Sequence, residues 1–438
     1  MCSSDLFVCN ELREILAEFV ADEKKMPGVI RDISAVKQGT ASPGEVKNIL
    51  KKYDEALRSM NAIDLDDCIA VPAGLLKRHA DLLQSYRERF QWILVDEFQD
   101  INAVQYEFLT LLAGPGNPNL FMIGDPDQAI YGFRGSDARF MERIAEEYPG
   151  MKVIRLDRSF RCPDPVMRAA GQILKKGSAP AGRDLDVKVH IREMPSDRSE
   201  ADWIAATIEA AIGGVRSFSM ESGISDGEAA AENRGFSDFA VLCRSSFLFE
   251  ALTEAFRNHG IPYQTAGTES MLRQEPYRRA VRSLKKIFYT GKDTSLSLGV
   301  ISDIWGMIKK GDSVADVLKF VMVVLDAPEE SIMRLTSFAE PFGGGYHEFF
   351  RSGSLRMGAD DRDERAEAVS IMTIHASKGL EFDTVFIPAC EKGIIPFELF
   401  GAKEGREMEE EVRLFYVGVT RTIKIGRASC RERVCYVV

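Results

Sequence analysis

Two common signatures are missing from this 438-residue chain. No apolar run approaches the ~18 residues that a membrane-spanning helix needs, so no span is expected. None of its eight cysteines stands in a C-x-x-C pair. That argues against a zinc site or a disulfide scaffold and fits a reducing cytosol. Positive charge is not in excess either, since the formal net charge is −11. This excludes a protein coated in basic surface, but not a nucleic-acid motor whose strand track is locally basic. What is present is an ordinary soluble composition, 45% hydrophobic and 28% charged. The length allows about two to four domains with ample core.

The two ends read differently from the rest. "CSSDL" at 2–6 is what a common sequencing-adapter string encodes, and "IGRASCRERV" at 425–434 is the translation of the opposite adapter. The expectation is natural sequence from about Phe7 to about Lys424, from a gene cut at both ends, so that no targeting signal can be judged. "CYVV" at 435–438 is not explained by the adapter.

Residues 7–60 read as helices, with apolar positions at three-to-four spacing in "ELREILAEFV" and "VKNILKKYDEALRSM". "WILV" (92–95) and "LFMI" (120–123) are short apolar runs ending in Asp96 and in Gly124-Asp125, as in a buried parallel sheet. "KVIRLD" (152–157) reads as another strand, and "DPVMRAAGQILKK" (164–176) as a helix opened by Asp and Pro. Strand patterns return at 187–191, 239–245, 369–375 and 384–389. An exposed loop is expected at 213–236 and a charged connector at 358–368. Between them, 272–340 is helical in pattern. The expected fold is α/β, two lobes with parallel sheets, the second interrupted by a helical insertion. The distinctive loops all follow strands, where ligands of open α/β sheets sit.

Two of those loops carry the chemistry. In "ILVDEFQD" (93–100) the strand delivers Asp96 and Glu97. Mg²⁺ wants one or two carboxylates plus phosphate oxygens and water, and a neighbouring carboxylate can act on an attacking water. Taken alone, the dipeptide is more often an acidic helix cap. In "GDPDQAIYGFRG" (124–135), Gln128 can donate to a γ-phosphate oxygen and accept from a water. Phe133 offers a flat face on which any base can stack, worth ~1–3 kcal/mol. Tyr131 could do the same, serve as a spacer or pack inward. Arg134 could pair with Glu97 or a phosphate.

These stretches belong to an ordered set: "DEFQD" to Gln105, "GDPDQAIYGFRGS" (124–136), "LDRSFRCP" (156–163), "VSIMTIHASKGLEFDTVFIPACEKGIIPF" (369–397) and "EEEVRLFYVGVTRT" (409–422). "AIDLDD" (62–67), "AVLCRSS" (240–246) and "GIPYQTAG" (260–267) extend it. The set resembles the UvrD/Rep-type superfamily 1 DNA helicases over nearly everything between the suspect ends. The resemblance implies two RecA-like P-loop NTPase lobes, with ATP and Mg²⁺ between them. Asp96, Glu97 and Gln128 would come from the first lobe. The second would supply Phe160 to stack on adenine, Arg161 and Arg421 to reach the γ-phosphate, and Glu381 to contact the ribose. Guanidinium forks suit phosphate, and donation across a cleft ties hydrolysis to closure. Tyr131, Phe133 and His375 would face single-stranded DNA. Movement would be 3′→5′, on single strands and single-strand/duplex junctions, in repair or replication restart. The implied setting is a bacterial-type cytoplasm at the nucleoid, with repair or replication proteins as partners and no membrane.

The implied domains are 7–60, a helical remnant of inserted subdomain 1B; 61–156, a partial lobe 1A; and 157–275 with 366–424, lobe 2A. A short 2B-like helical insertion takes 276–365, while 1–6 and 425–438 fall to the adapter. The sequence departs from the family in one main respect: no G-x-x-x-x-G-K-[ST] occurs, and "GTASPG" (39–44) leads into Glu45-Val46. Without that phosphate cradle this chain is expected to hydrolyse little ATP. Val412 stands where the family often has arginine, and Phe160 replaces the usual tyrosine. A non-hydrolysing DNA-binding paralogue and the motor part of a helicase–nuclease are the competing readings. Sequencing the source gene across both joins is expected to show it departing from this chain near Phe7 and Lys424. A gene that runs through both adapter-like stretches unchanged overturns the expectation.

Overall fold

The computed structural model describes residues 7–8, 15–16, 19–20, 22, 24–59, 62–116, 119–175, 180–185, 187–213, 234–266, 271–291, 293, 295–355, 362–398 and 405–430, with backbone alone over 7–8 and 425–430. Nearly all of the loop expected at 213–236 lies outside the described residues, as do the start of the 358–368 connector, most of the helix expected at 11–20, and residues 1–6 and 431–438. The chain divides into two compact units, one of residues 1–15, 53–65 and 269–361, the other of 16–52, 66–268 and 362–438.

The first unit is built from helices. Five of them, Tyr277–Thr290, Leu298–Lys310, Val314–Val324, Glu329–Ala339 and Tyr346–Leu355, share one core. Ala280, Leu284 and Ile287 repeat at helical spacing, as do Val314, Val317, Leu318 and Val321, so each helix buries a stripe. Ser297 and Ser313 accept from the amides of Val300 and Asp316 at the N-termini, 3.4 and 3.1 Å away. Gly291 and Gly311 close two C-termini at φ 70° and 84°, where only glycine is unstrained. The same unit holds a short parallel pair, β1 (Phe7–Val8) with β2 (Ala62–Ile63).

The second unit is α/β with parallel sheets. β3 (Ile93–Val95) pairs with β4 (Leu120–Met122), and β5 (Arg158–Pro163) with β6 (Ala181–Arg183). A six-stranded sheet follows from β7 (His190–Glu193), β8 (Phe239–Cys243), β9 (Tyr263–Ala266), β10 (Val369–Thr373), β11 (Phe382–Ile387) and β12 (Thr422–Cys430). Its order is β7-β12-β11-β8-β10-β9, every neighbour parallel. β8 is buried along its whole length and shows why. Phe239, Val241 and Cys243 face the helices Asp197–Ile212 and Phe249–His259, whereas Ala240 and Leu242 face Ala170, Leu414 and Val417. β12 runs through the adapter-like stretch to Cys430; its ladder uses backbone groups, which any sequence supplies.

The β3–β4 pair is covered on one face only. Ile93, Val95, Leu120 and Met122 pack against Phe98, Tyr106, Leu109 and Ile144. The alternate residues stand in solvent, Leu94 being 72% exposed and Phe121 and Ile123 more than half exposed. Residues 152–157, expected as a strand, make no ladder, and Val153, Ile154 and Leu156 are exposed. A β-branched run becomes a strand only beside a partner, and none flanks it among the described residues.

One buried ion pair locks the helix Arg406–Val419 to the six-stranded sheet. Arg244, just past β8, forks onto Glu411 through Nε at 2.9 Å and Nη2 at 2.6 Å. Glu411 also accepts the Phe397 amide at 3.0 Å, and Arg244 lies 4.8 Å from the Phe397 ring. Arg244→Ala would strand a buried carboxylate and is expected to cost about 3 kcal/mol, the low end for breaking such a pair. Urea unfolding measures this, and an unchanged midpoint would contradict it.

Candidate functional site

Parallel strands in one direction bring their carboxyl-end loops together. Past β3 come Asp96 and Glu97, both exposed, with the Glu97 amide donating to Asp96 Oδ1 at 2.9 Å. Glu97 sits at φ 51°, a left-handed conformation that a side chain adopts at a cost of order 1–3 kcal/mol. The fully buried Gln99 holds it, donating to Glu97 Oε2 while its own Oε1 accepts the Asp125 amide at 3.0 Å. One amide thus stitches the loop after β3 to the loop after β4. Gly124 makes room for it, since a Cβ there would come within 2.8 Å of Gln99 Oε1.

In the second loop, Gln128 donates through Nε2 to Asp125 Oδ2 at 2.8 Å, which leaves its Oε1 to face outward. The group it meets is Arg421, at 3.3 Å from Nη2. Arg421 lies just beyond the helix Arg406–Val419 and is only 1% exposed. Its Nε donates to the Val417 carbonyl at 3.0 Å and its Nη1 to that of Leu380 at 3.4 Å. Burial, with Arg161 nearby, lowers its pKa to about 10. It therefore remains a cation at neutral pH. Arg161, on β5, donates from Nε to Glu381 Oε2 at 2.6 Å, and its neighbour Phe160 is 79% exposed.

Gln128, Phe160, Arg161, Glu381 and Arg421 line one open cleft of about 530 Å³, together with Asp125, Tyr416 and others. That is the size of an ordinary small-molecule site. Asp96 and Glu97 stand beside the cleft rather than in its lining, although the charge of Glu97 is felt by Arg421. Two hard carboxylates at a strand end fit Mg²⁺ completed by phosphate oxygens and water. Among the described residues no cluster of three metal-binding side chains occurs.

A second surface adjoins the first. Phe133 is 62% exposed and meets His375 edge-on with ring centres 5.6 Å apart; Tyr131 lies 6.1 Å from Phe133 and 6.4 Å from His375. Burial raises the Tyr131 pKa, so its hydroxyl stays protonated, donating to the His375 carbonyl at 3.3 Å. Arg134 lies over Tyr131 and Phe133, at 5.3 and 5.6 Å. It is thus set with the aromatic residues and not in the cleft lining, because its short 3-10 turn aims it along that face.

The residue that does approach Glu97 is Lys378, which sequence reasoning passed over. Its Nζ is 3.5 Å from Glu97, pairs with Asp100, donates to the Gln128 carbonyl at 2.8 Å and lies 5.2 Å from the Tyr131 ring. Burial raises the Asp100 pKa, and the Lys378 ammonium works against that rise. The sequence offers it only as the lysine of "HASKGLEF", and nothing there pairs that lysine with the final aspartate of "DEFQD". Gln99, central to the same sequence run, was also missed.

Two family models match the chain: the UvrD/REP helicase N-terminal domain over residues 9–149 and the UvrD-like helicase C-terminal domain over 326–424. The chain is 27% identical over 458 residues to the ATP-dependent DNA helicase PcrA of Staphylococcus epidermidis, covering 86% of this chain and 60% of that one. It is 26% identical over 497 residues to the ATP-dependent DNA helicase UvrD1 of Mycobacterium leprae, covering 88% and 62%. To the DNA helicase II of Rickettsia typhi it is 26% identical over 451 residues, covering 86% and 66%. The chain thus spans just under two thirds of the length of the curated relatives it matches.

Proposed function

The chain belongs to the UvrD/Rep-type superfamily 1 helicases, and from that we propose that it is the nucleotide- and strand-handling part of an ATP-dependent DNA helicase. The proposed motor moves 3′→5′ on single-stranded DNA in the cytoplasm and works at single-strand/duplex junctions during repair or replication restart. The observation that carries this reading is the Gln128–Arg421 contact at 3.3 Å, inside a cleft shared with Phe160, Arg161 and Glu381.

Each residue then has a role that its surroundings support. Phe160, bare on one side of the cleft, offers its ring to adenine, and Glu381 is within reach of a ribose hydroxyl. Arg161 and Arg421 present cations to the terminal phosphate, where preorganised charge helps most as negative charge spreads. Asp96 would hold hydrated Mg²⁺, and Glu97 would act on the attacking water. Bound ATP·Mg²⁺ supplies the phosphoryl bond whose hydrolysis drives the cycle. Gln128, pinned by Asp125, reports the state of the terminal phosphate to its own loop. Five residues further on, Phe133 holds a base. One loop therefore joins phosphate chemistry to strand grip, and RecA-like lobe closure would move the strand stepwise.

A specific absence favours a second description for the chain as it stands. Its 438 residues contain no G-x-x-x-x-G-K-[ST], so nothing in it cradles the phosphates as a P-loop does. The chain alone is proposed to bind DNA without appreciable turnover. Steady-state ATPase assays with saturating single-stranded DNA are expected to stay far below the roughly 10 s⁻¹ typical of enzymes. A rate near that value would contradict the description.

The strand-grip half of the proposal is open to direct measurement with this chain. Phe133→Ala is expected to weaken single-stranded DNA binding by about 1–3 kcal/mol, or roughly 5- to 150-fold, for oligo-dT and oligo-dA alike. Fluorescence anisotropy titration reads this. A chain that does not bind single strands at all, or a loss confined to one base, would sink the reading.

A further inference from the structure

The loop that carries Gln128 and Phe133 is held by its backbone, and the holding groups come from the far side of the cleft. Arg413 Nε donates to the Ala129 carbonyl at 2.9 Å. Glu410 Oε1 accepts the Gly132 amide at 2.9 Å. Lys378 donates to the Gln128 carbonyl, one residue before Ala129, at 2.8 Å. Glu410 and Arg413 are three residues apart on the helix Arg406–Val419 and so share one face of it. Gly132 lies close against this contact, since a Cβ there would come within 2.9 Å of Glu410 Oε2 and the carboxylate would have to shift.

Two features separate this arrangement from ordinary packing. First, both grips address main-chain groups, so they set the path of the loop while leaving the Phe133 ring 62% exposed. Second, the same helix leads directly into Arg421, which contacts the Gln128 side chain. One helix and the arginine just past it therefore touch the loop at the Gln128 side chain and at two points of its backbone, the second of them next to Phe133.

We propose that Glu410 and Arg413 are positioning residues that fix the Ala129–Gly132 backbone so that Phe133 and His375 present a ready face to a base of single-stranded DNA. This rests on the strand-binding reading above and extends it to two residues that do not themselves touch the strand. Preorganisation is the physical gain: a loop already ordered loses less freedom when the strand arrives.

The test uses the full 438-residue chain and fluorescein-labelled oligo-dT, read by anisotropy. Glu410→Ala and Arg413→Ala are each expected to weaken binding by roughly threefold or more, in the range of coupling between residues of one network. Glu410→Gln retains an acceptor oxygen for the Gly132 amide and is expected to recover most of the loss. In the Phe133→Ala background the Glu410→Ala loss is expected to shrink towards nothing, which a general loss of structure would not produce. Should Glu410→Ala fold poorly, Gly132→Ala, which drives a methyl against the same carboxylate, is expected to give the same loss. Full binding by Glu410→Ala and Arg413→Ala, or losses that simply add to that of Phe133→Ala, overturns the proposal. Loss of the Phe133→Ala effect itself overturns the strand-binding reading instead, so the two failures are told apart.

Discussion

A buried guanidinium facing a pinned amide is the contact on which the rest of the second unit depends. Arg421 is almost wholly out of water, and a cation in that position is costly unless its hydrogens are met. Here the Val417 and Leu380 carbonyls, Thr420 Oγ1 and Gln128 Oε1 meet them. Three of these four acceptors belong to the helix end or the β11 approach; the fourth crosses to the loop after β4. The crossing contact therefore comes at little further cost, because the cation is already desolvated and oriented. The guanidinium is thereby fixed in direction by protein acceptors alone, as its proposed role towards a phosphate would require.

The acids opposite are arranged by the same economy of partners. Gln99 spans two strand-end loops with one side chain, holding Glu97 in an otherwise unfavourable backbone conformation and fixing the start of the loop that leads to Gln128. Lys378 then neutralises the acidic group from the other side, against Glu97 and Asp100, and stays near Tyr131. Carboxylates this close to one another would repel if left alone. The lysine makes their clustering tolerable and at the same time ties them to the loop of β10. Burial raises the Asp100 carboxyl pKa, and its pairing with Lys378 works against that rise.

The parts of this arrangement that could be read in advance are those written as side-chain types at strand ends. Asp96 and Glu97 after one apolar run and Gln128 after another are visible as local patterns, whereas Phe160, Arg161 and the stretch holding Glu410 and Arg413 stood out only through the family resemblance. The partnerships were not visible. Arg413 meets the carbonyl of Ala129 and Glu410 the amide of Gly132, and a main-chain group leaves no trace in the sequence that would announce its partner some 280 residues away. Lys378 was hidden for the same reason, since one of its contacts is a carbonyl. The strand expected at 152–157 failed for a different reason: its composition is right, but a strand is a property of a pair. Arg134 carries a charge that could pair with Glu97 or a phosphate; in the structure the Tyr131 and Phe133 rings lie beside it, and a guanidinium is satisfied by either kind of partner.

These contacts also say where coupling can and cannot reside. Side-chain contacts alone would let the loop of Gln128 and Phe133 shift while each partner followed by rotating. Backbone grips at Ala129 and Gly132 remove that slack, because the carbonyl and amide they hold cannot move without moving the chain. The arginine that meets Gln128 lies just past the helix that grips them, so the loop is tied to that helix and to its C-terminal end together. Movement of that helix bears on the loop at Gln128, Ala129 and Gly132 together, and in the motor proposed above this is what would let a change at the nucleotide be felt at the base.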